Sequence, residues 1–126
     1  MSETINWNFS VTVNSGPQIA STSSLTLDGY DKFDLSVSKS KSPVKVTVAP
    51  GKWNGVSLLA IKPSAGDPKL NYTTAGQKIV LDEAHLLAGA GVVSLLGDND
   101  AQITFAYEGT ADTVFTIQVL VGRNVS

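Results

Sequence analysis

The chain has 126 residues, a net charge of −2 and no cysteine. That length suits one domain with one core, so residues 1–126 are read as a single unit. The charge offers no footprint for nucleic acid, and the missing thiols exclude disulfides, thiolate metal sites and cysteine nucleophiles.

The first four residues, Met1-Ser2-Glu3-Thr4, lack the basic and apolar regions of a signal peptide. No stretch reaches the ~18 apolar residues of a membrane span. Synthesis in the cytoplasm, with no membrane partner, is the expectation. Ile5, Trp7, Phe9, Val11 and Val13 then alternate with Asn6, Asn8, Ser10 and Thr12. Successive side chains of a strand point to opposite faces, so this is a strand with one buried and one wet face. Trp7 and Phe9 are expected in the core, where truncation to alanine costs ~3–5 kcal/mol.

Asn14-Ser15-Gly16-Pro17 is a turn. A weak strand follows over residues 19–27, and Asp28-Gly29-Tyr30-Asp31 turns again. Phe33, Leu35 and Val37 mark a third strand, and Val44, Val46 and Val48 a fourth. Between them lies an exposed lysine-bearing connection, residues 39–43. Ala49-Pro50-Gly51-Lys52 and Asn54-Gly55 are turn signals. Residues 56–61 are a more uniformly apolar run, as in a strand covered on both faces. Short strands are expected at residues 70–72 and 78–81. A short helical turn is expected near residues 82–88, capped by Asp82 and ended by Gly89. Residues 92–96 read as a strand, Gly97-Asp98-Asn99-Asp100 as a hairpin turn, and residues 103–107 as the returning strand. The last strand covers residues 113–121, with Phe115, Ile117, Val119 and Val121 on one face. About eight to nine strands at ~8–12-residue spacing indicate an all-β, two-sheet antiparallel β-sandwich of jelly-roll type. The long first and last strands are expected side by side in one sheet.

No constellation carries catalytic chemistry. His85 is the only histidine, no Gly-x-Ser-x-Gly elbow is present, and a metal site with two histidines is impossible. A lone histidine beside Leu86 and Leu87 is read as structural. Asp28, Asp31 and Asp34 lack the spacing of a calcium loop, and Asp98 and Asp100 are explained by turn chemistry. Glu108 and Asp112 read as the solvated ends of a turn. Asn8, Asn71 and Asn124 open glycosylation patterns that mean little without a secretory signal. No enzyme activity and no cofactor are expected.

Two groups remain as candidate sites. Leu86, Leu87, Ala88, Gly89, Ala90, Gly91 and Val92 are apolar or small where a sandwich loop is normally polar. This segment either closes one end of its own core or packs on another subunit; it is taken as the subunit or capsid interface. Trp53, between two turn signals, with Tyr30 and Tyr72, is the alternative, a ligand site for stacking on sugar rings.

The leaderless Ser2-Glu3-Thr4 start, the alternating strand at residues 5–13, the Ala49-Pro50-Gly51 turn and the closing strand at residues 113–121 resemble the small, cysteine-free, jelly-roll decoration (cement) proteins of tailed-phage capsids. The chain is also similar to other virion β-sandwich proteins. The resemblance implies a non-enzymatic structural protein in the virion. It further implies a homo-oligomer, a trimer, seated on the major capsid protein or another virion protein. A carbohydrate-binding, lectin-like module is the competing expectation.

Overall fold

The computed structural model describes residues 3–74, 76–97 and 99–124. Asp98, in the expected hairpin turn, and the end of the 124–126 glycosylation pattern lie outside the described residues. Ten strands are present among the described residues. They are β1 (Glu3–Thr12), β2 (Gln18–Leu27), β3 (Gly29–Val37), β4 (Val44–Lys52) and β5 (Val56–Pro63), then β6 (Leu70–Thr74), β7 (Gln77–Val80), β8 (His85–Ala88), β9 (Asp100–Tyr107) and β10 (Phe115–Arg123). One short helix, α1 (Ala90–Val93), follows β8.

Strands β3 to β10 build two antiparallel four-stranded sheets, ordered β3-β10-β5-β8 and β4-β9-β6-β7. The pairing is nested: β3 with β10, β4 with β9, β5 with β8 and β6 with β7. It is one long folded-back ribbon rolled up, and β10 with β5 and β9 with β6 close the two sheets. That is jelly-roll wiring. The alternation read from the chain now has its cause. Ile103, Phe105 and Tyr107 from β9 and Phe115, Ile117, Val119 and Val121 from β10 are all buried in the shared core. Their even-numbered neighbours face outward.

β1 and β2 do not belong to this roll. They pair only with each other, in unbroken register from Glu3↔Leu27 to Thr12↔Gln18. The hairpin closes through Val13 N–H to Pro17 O at 3.0 Å and Gly16 N–H to Val13 O at 2.8 Å. It leaves the body as an arm. The expected pairing of the first strand with the last is therefore corrected: β3 occupies that place beside β10. The core placement of Trp7 and Phe9 is corrected too. Trp7 is half-buried and Phe9 is 40% exposed. Eight strands already fill both inner faces, so nothing is left for the arm to pack against inside.

Two further expectations change. The helical turn near residues 82–88 is not formed there. Residues 85–88 are strand β8, recruited because β5 has a second edge whose backbone groups take up partners. Residues 92–96 are not a strand. Val93 and Leu96 are buried while Val92 and Leu95 are exposed. That three-residue spacing is helical, and the chain runs through α1 into a 3-10 turn at Ser94–Leu96.

Candidate functional site

The segment from Leu86 to Val92 does not act as one surface. Leu86 stands on the outer face of β8 and is 44% exposed. Leu87 turns inward and packs on the core. Gly89 takes φ +102°, a conformation that suits a residue without a side chain, and lets the chain turn from β8 into α1. Ala88 is half-buried, and Ala90, Gly91 and Val92 are exposed on and around the helix. The segment is thus part edge strand and part cover for one end of the core. It leaves Leu86, Val92 and the neighbouring Leu95 on the surface.

The alternative ligand site does not assemble. Trp53 is 1% exposed, and its indole N–H donates to Thr74 Oγ1 at 3.1 Å, which fixes the ring as a core plug. Tyr72 is buried as well, and only Tyr30 is open to solvent. The hollow at Trp53, about 410 Å³, is also lined by Asn54, Val56, Ala90, Ser94 and Gly97, and Trp53 shows almost none of its surface to it. A buried tryptophan cannot stack on a sugar, so Trp53, Tyr30 and Tyr72 are not a joint site.

His85 is engaged structurally. Its Nδ1 shares a hydrogen bond with Tyr72 Oη at 2.8 Å, linking β8 in one sheet to β6 in the other. Burial pushes the Tyr72 hydroxyl up to about 12, so it keeps its proton near neutrality. Asp82 Oδ1 lies 3.9 Å from His85 Nε2, beyond hydrogen-bond reach. Among the carboxylates, Asp31 is bound to Arg123 at 2.8 Å and Asp34 to Lys32 at 3.3 Å. Asp112 meets Lys39 at 2.7 Å. Glu108 is held by Lys78, whose hydrogen bond lowers its pKa against a smaller effect of burial. No group of three or more metal-ligating side chains comes together among the described residues. No helix there is long and apolar enough to cross a membrane.

The feature that sequence reasoning placed wrongly is the arm. From Thr4 to Leu27 the chain carries no charged residue. Sheet edges are usually guarded by charge, and three of the body's four edge strands follow that rule: Asp31, Lys32 and Asp34 mark β3, Lys45 marks β4 and Lys78 marks β7, while the short β8 carries no Asp, Glu, Lys or Arg. Beyond Glu3 at its base, the arm has no such guard. One arm face presents Ile5, Trp7, Phe9 and Val11 from β1, opposite Leu25, Ser23, Ser21 and Ile19 of β2 in turn. The Trp7 and Phe9 rings stack at 5.9 Å, and Val11 and Ile19 are 60% and 66% exposed.

This face continues onto the body. Leu27 and Leu58 are buried, yet neither belongs to the core between the sheets. They meet on the outside of the β3-β10-β5-β8 sheet, above Gly122. A Cβ on Gly122 would lie 2.3 Å from Leu27 Cδ1, 3.2 Å from Ile5 Cδ1 and 3.4 Å from Leu58 Cβ. The Asp28 N–H donates to Arg123 O at 3.0 Å and pins the base of the arm there. Farther along the same outer face lies a mostly apolar hollow of about 380 Å³, lined by Ala60, Leu86 and Leu120, with Lys32 and Lys62 among its borders. The missing charge over residues 4–27 was legible in the chain; what it meant was not.

The chain matches no protein-family model, no curated protein and no solved structure.

Proposed function

We propose that this is a non-enzymatic structural protein that assembles with copies of itself and seats on a larger protein shell. The shell partner is the major capsid protein of a virion or another virion protein. The copy number, from the resemblance to decoration proteins, is three. One observation supports the reading above all: a hairpin with an apolar face, and no charge beyond Glu3 at its base, stands outside a core that is already complete. Monomeric proteins rarely leave a contiguous apolar surface of this kind uncovered, and one that remains marks a protein-binding face. Asp31, Glu108 and Asp112 are meanwhile committed to ion pairs, and His85 to its link with Tyr72.

The test is co-sedimentation with purified phage shells, together with sedimentation equilibrium of the free protein. The expected results are saturable shell binding and a mass near three times 13.2 kDa. A monomer that leaves the shells in the pellet without it overturns the reading.

A further inference from the structure

We propose that the chain cross-links itself: Lys78 Nζ and Asn71 Cγ join as an amide between β7 and β6, with Glu108 carrying the proton. The proposal is independent of any shell partner or copy number.

Three segments bring these groups together. Asn71 lies opposite Val80 and Thr73 opposite Lys78, so Asn71 and Lys78 are diagonal neighbours on one face of the β6–β7 ladder. Diagonal Cβ atoms lie ~7–8 Å apart or less, a gap that a lysine side chain spans. Glu108 follows β9, and its backbone N–H donates to Lys69 O at 2.9 Å. Asn71 Nδ2 donates to the same carbonyl at 3.5 Å, so both residues are anchored at one point. The Glu108 carboxylate accepts from Lys78 Nζ and from the Asn71 side-chain amide. Lys69 is the other charge near it.

Burial is the second observation. Leu70 and Tyr72 point into the core, so Asn71 between them faces outward. It is nevertheless only 3% exposed. A surface ion pair accounts for Lys78 and Glu108, but not for a buried amide beneath them. Burial of Asn71 keeps water from Cγ and leaves the amine as the nucleophile at hand.

The chemistry balances within these three side chains. The neutral Lys78 amine attacks Asn71 Cγ. Glu108 takes a proton from Nζ and delivers it to Nδ2. The Cγ–Nδ2 bond breaks, the Cγ–Nζ bond remains, and one ammonia leaves. Such a step needs a base within hydrogen-bond reach of the nucleophile and an acid at the leaving group, and one carboxylate touches both nitrogens. Holding the groups together converts a slow encounter into an intramolecular step. Only the neutral amine reacts, so mildly alkaline solution speeds it.

The test is mass spectrometry of the folded full-length chain, as purified and after mildly alkaline incubation. The expected change is the loss of one ammonia per chain. Succinimide formation at Asn54-Gly55 would also release ammonia, so tryptic mapping decides between them. No lysine or arginine stands between Lys78 and Arg123. The cross-linked chain therefore yields a fragment of residues 70–123, uncut after Lys78 and lighter by one ammonia. Lys78→Arg is expected to abolish that product. Glu108→Gln, at a half-exposed position, is expected to keep the sheet circular-dichroism spectrum and to slow the reaction by ~10²-fold or more. The wild-type chain unfolded in urea is expected to form none. A folded wild-type chain that trypsin still cuts fully after Lys78 would overturn the proposal. So would a cross-link that forms as fast in Glu108→Gln or in urea as in the folded wild type.

Discussion

Tyr72 and Trp53 show how single side chains tie the two sheets and the end of the core together. Tyr72 reaches His85 across the sandwich at 2.8 Å. Its pKa is raised from 10 to about 12 by burial. The folded state therefore holds the phenol proton more tightly than the unfolded chain does. Its contribution is fully present below pH 10 and is lost as pH rises through about 12. Between those values about 2–3 kcal/mol of stability should drain away. Tyr72→Phe is expected to lose about 1 kcal/mol near neutral pH from the missing hydrogen bond. It should also flatten the alkaline limb of the stability curve, measured by urea melts at successive pH values. An unchanged alkaline limb would mean that Tyr72 does not titrate in unfolding. Trp53→Ala should cost about 3–5 kcal/mol, because a fully buried ring and its bond to Thr74 are lost together.

The arm obeys a different rule. Phe9 is 40% exposed and packs mainly on Trp7, so Phe9→Ala in the monomer should shift stability by less than about 1 kcal/mol. A loss of several kcal/mol in thermal melts of dilute protein would show the strand buried after all. The arm's base is more sensitive than its tip. Gly122→Ala would place a methyl 2.3 Å from Leu27 Cδ1. Leu27 and Ile5 would have to lift off the sheet, at about 1–3 kcal/mol for overpacking. Limited proteolysis should then cut the arm faster than in wild type, while β6 and β9 stay protected. Edge strand β8 has the same logic in miniature. Its four residues were read as helix because Asp82 and Gly89 look like caps. The unpaired edge of β5 decided otherwise, since backbone hydrogen bonds to a waiting strand outweigh a weak local preference.

For the whole molecule, the nested pairing brings distant parts of the chain together. Gly29 lies opposite Arg123 and Val37 opposite Phe115. The entropy of closing such long loops must be met before those contacts reward it, so folding is expected on the millisecond-to-second scale typical of β-sandwiches. Stopped-flow refolding of a Trp7→Phe chain, monitored by the fluorescence of Trp53, checks this. Microsecond folding would be incompatible with a core that depends on the closing strand.

Much of the sandwich is written in short-range pattern. The alternation at residues 33–37, 44–48 and 103–107 yields β3, β4 and β9 with their inner faces as expected, because a strand's side chains alternate whatever their partners are. The same pattern in residues 5–13 is just as regular, yet its apolar face is not in the core. Alternation says that a face is apolar; it does not say what covers it. Whether a strand joins the roll or leaves it as an arm depends on how many other strands already fill the two sheets. That is a property of the assembled topology. The same holds for Trp53, Tyr30 and Tyr72. Chain position suggested that they gather, but the rolling of the ribbon buries two of them and leaves the third outside. The sequence determined most of the strands, their alternating faces and the uncharged character of residues 4–27. Only the tertiary structure decided which apolar face remains for a partner, since that face is what is left over when eight strands have closed one core.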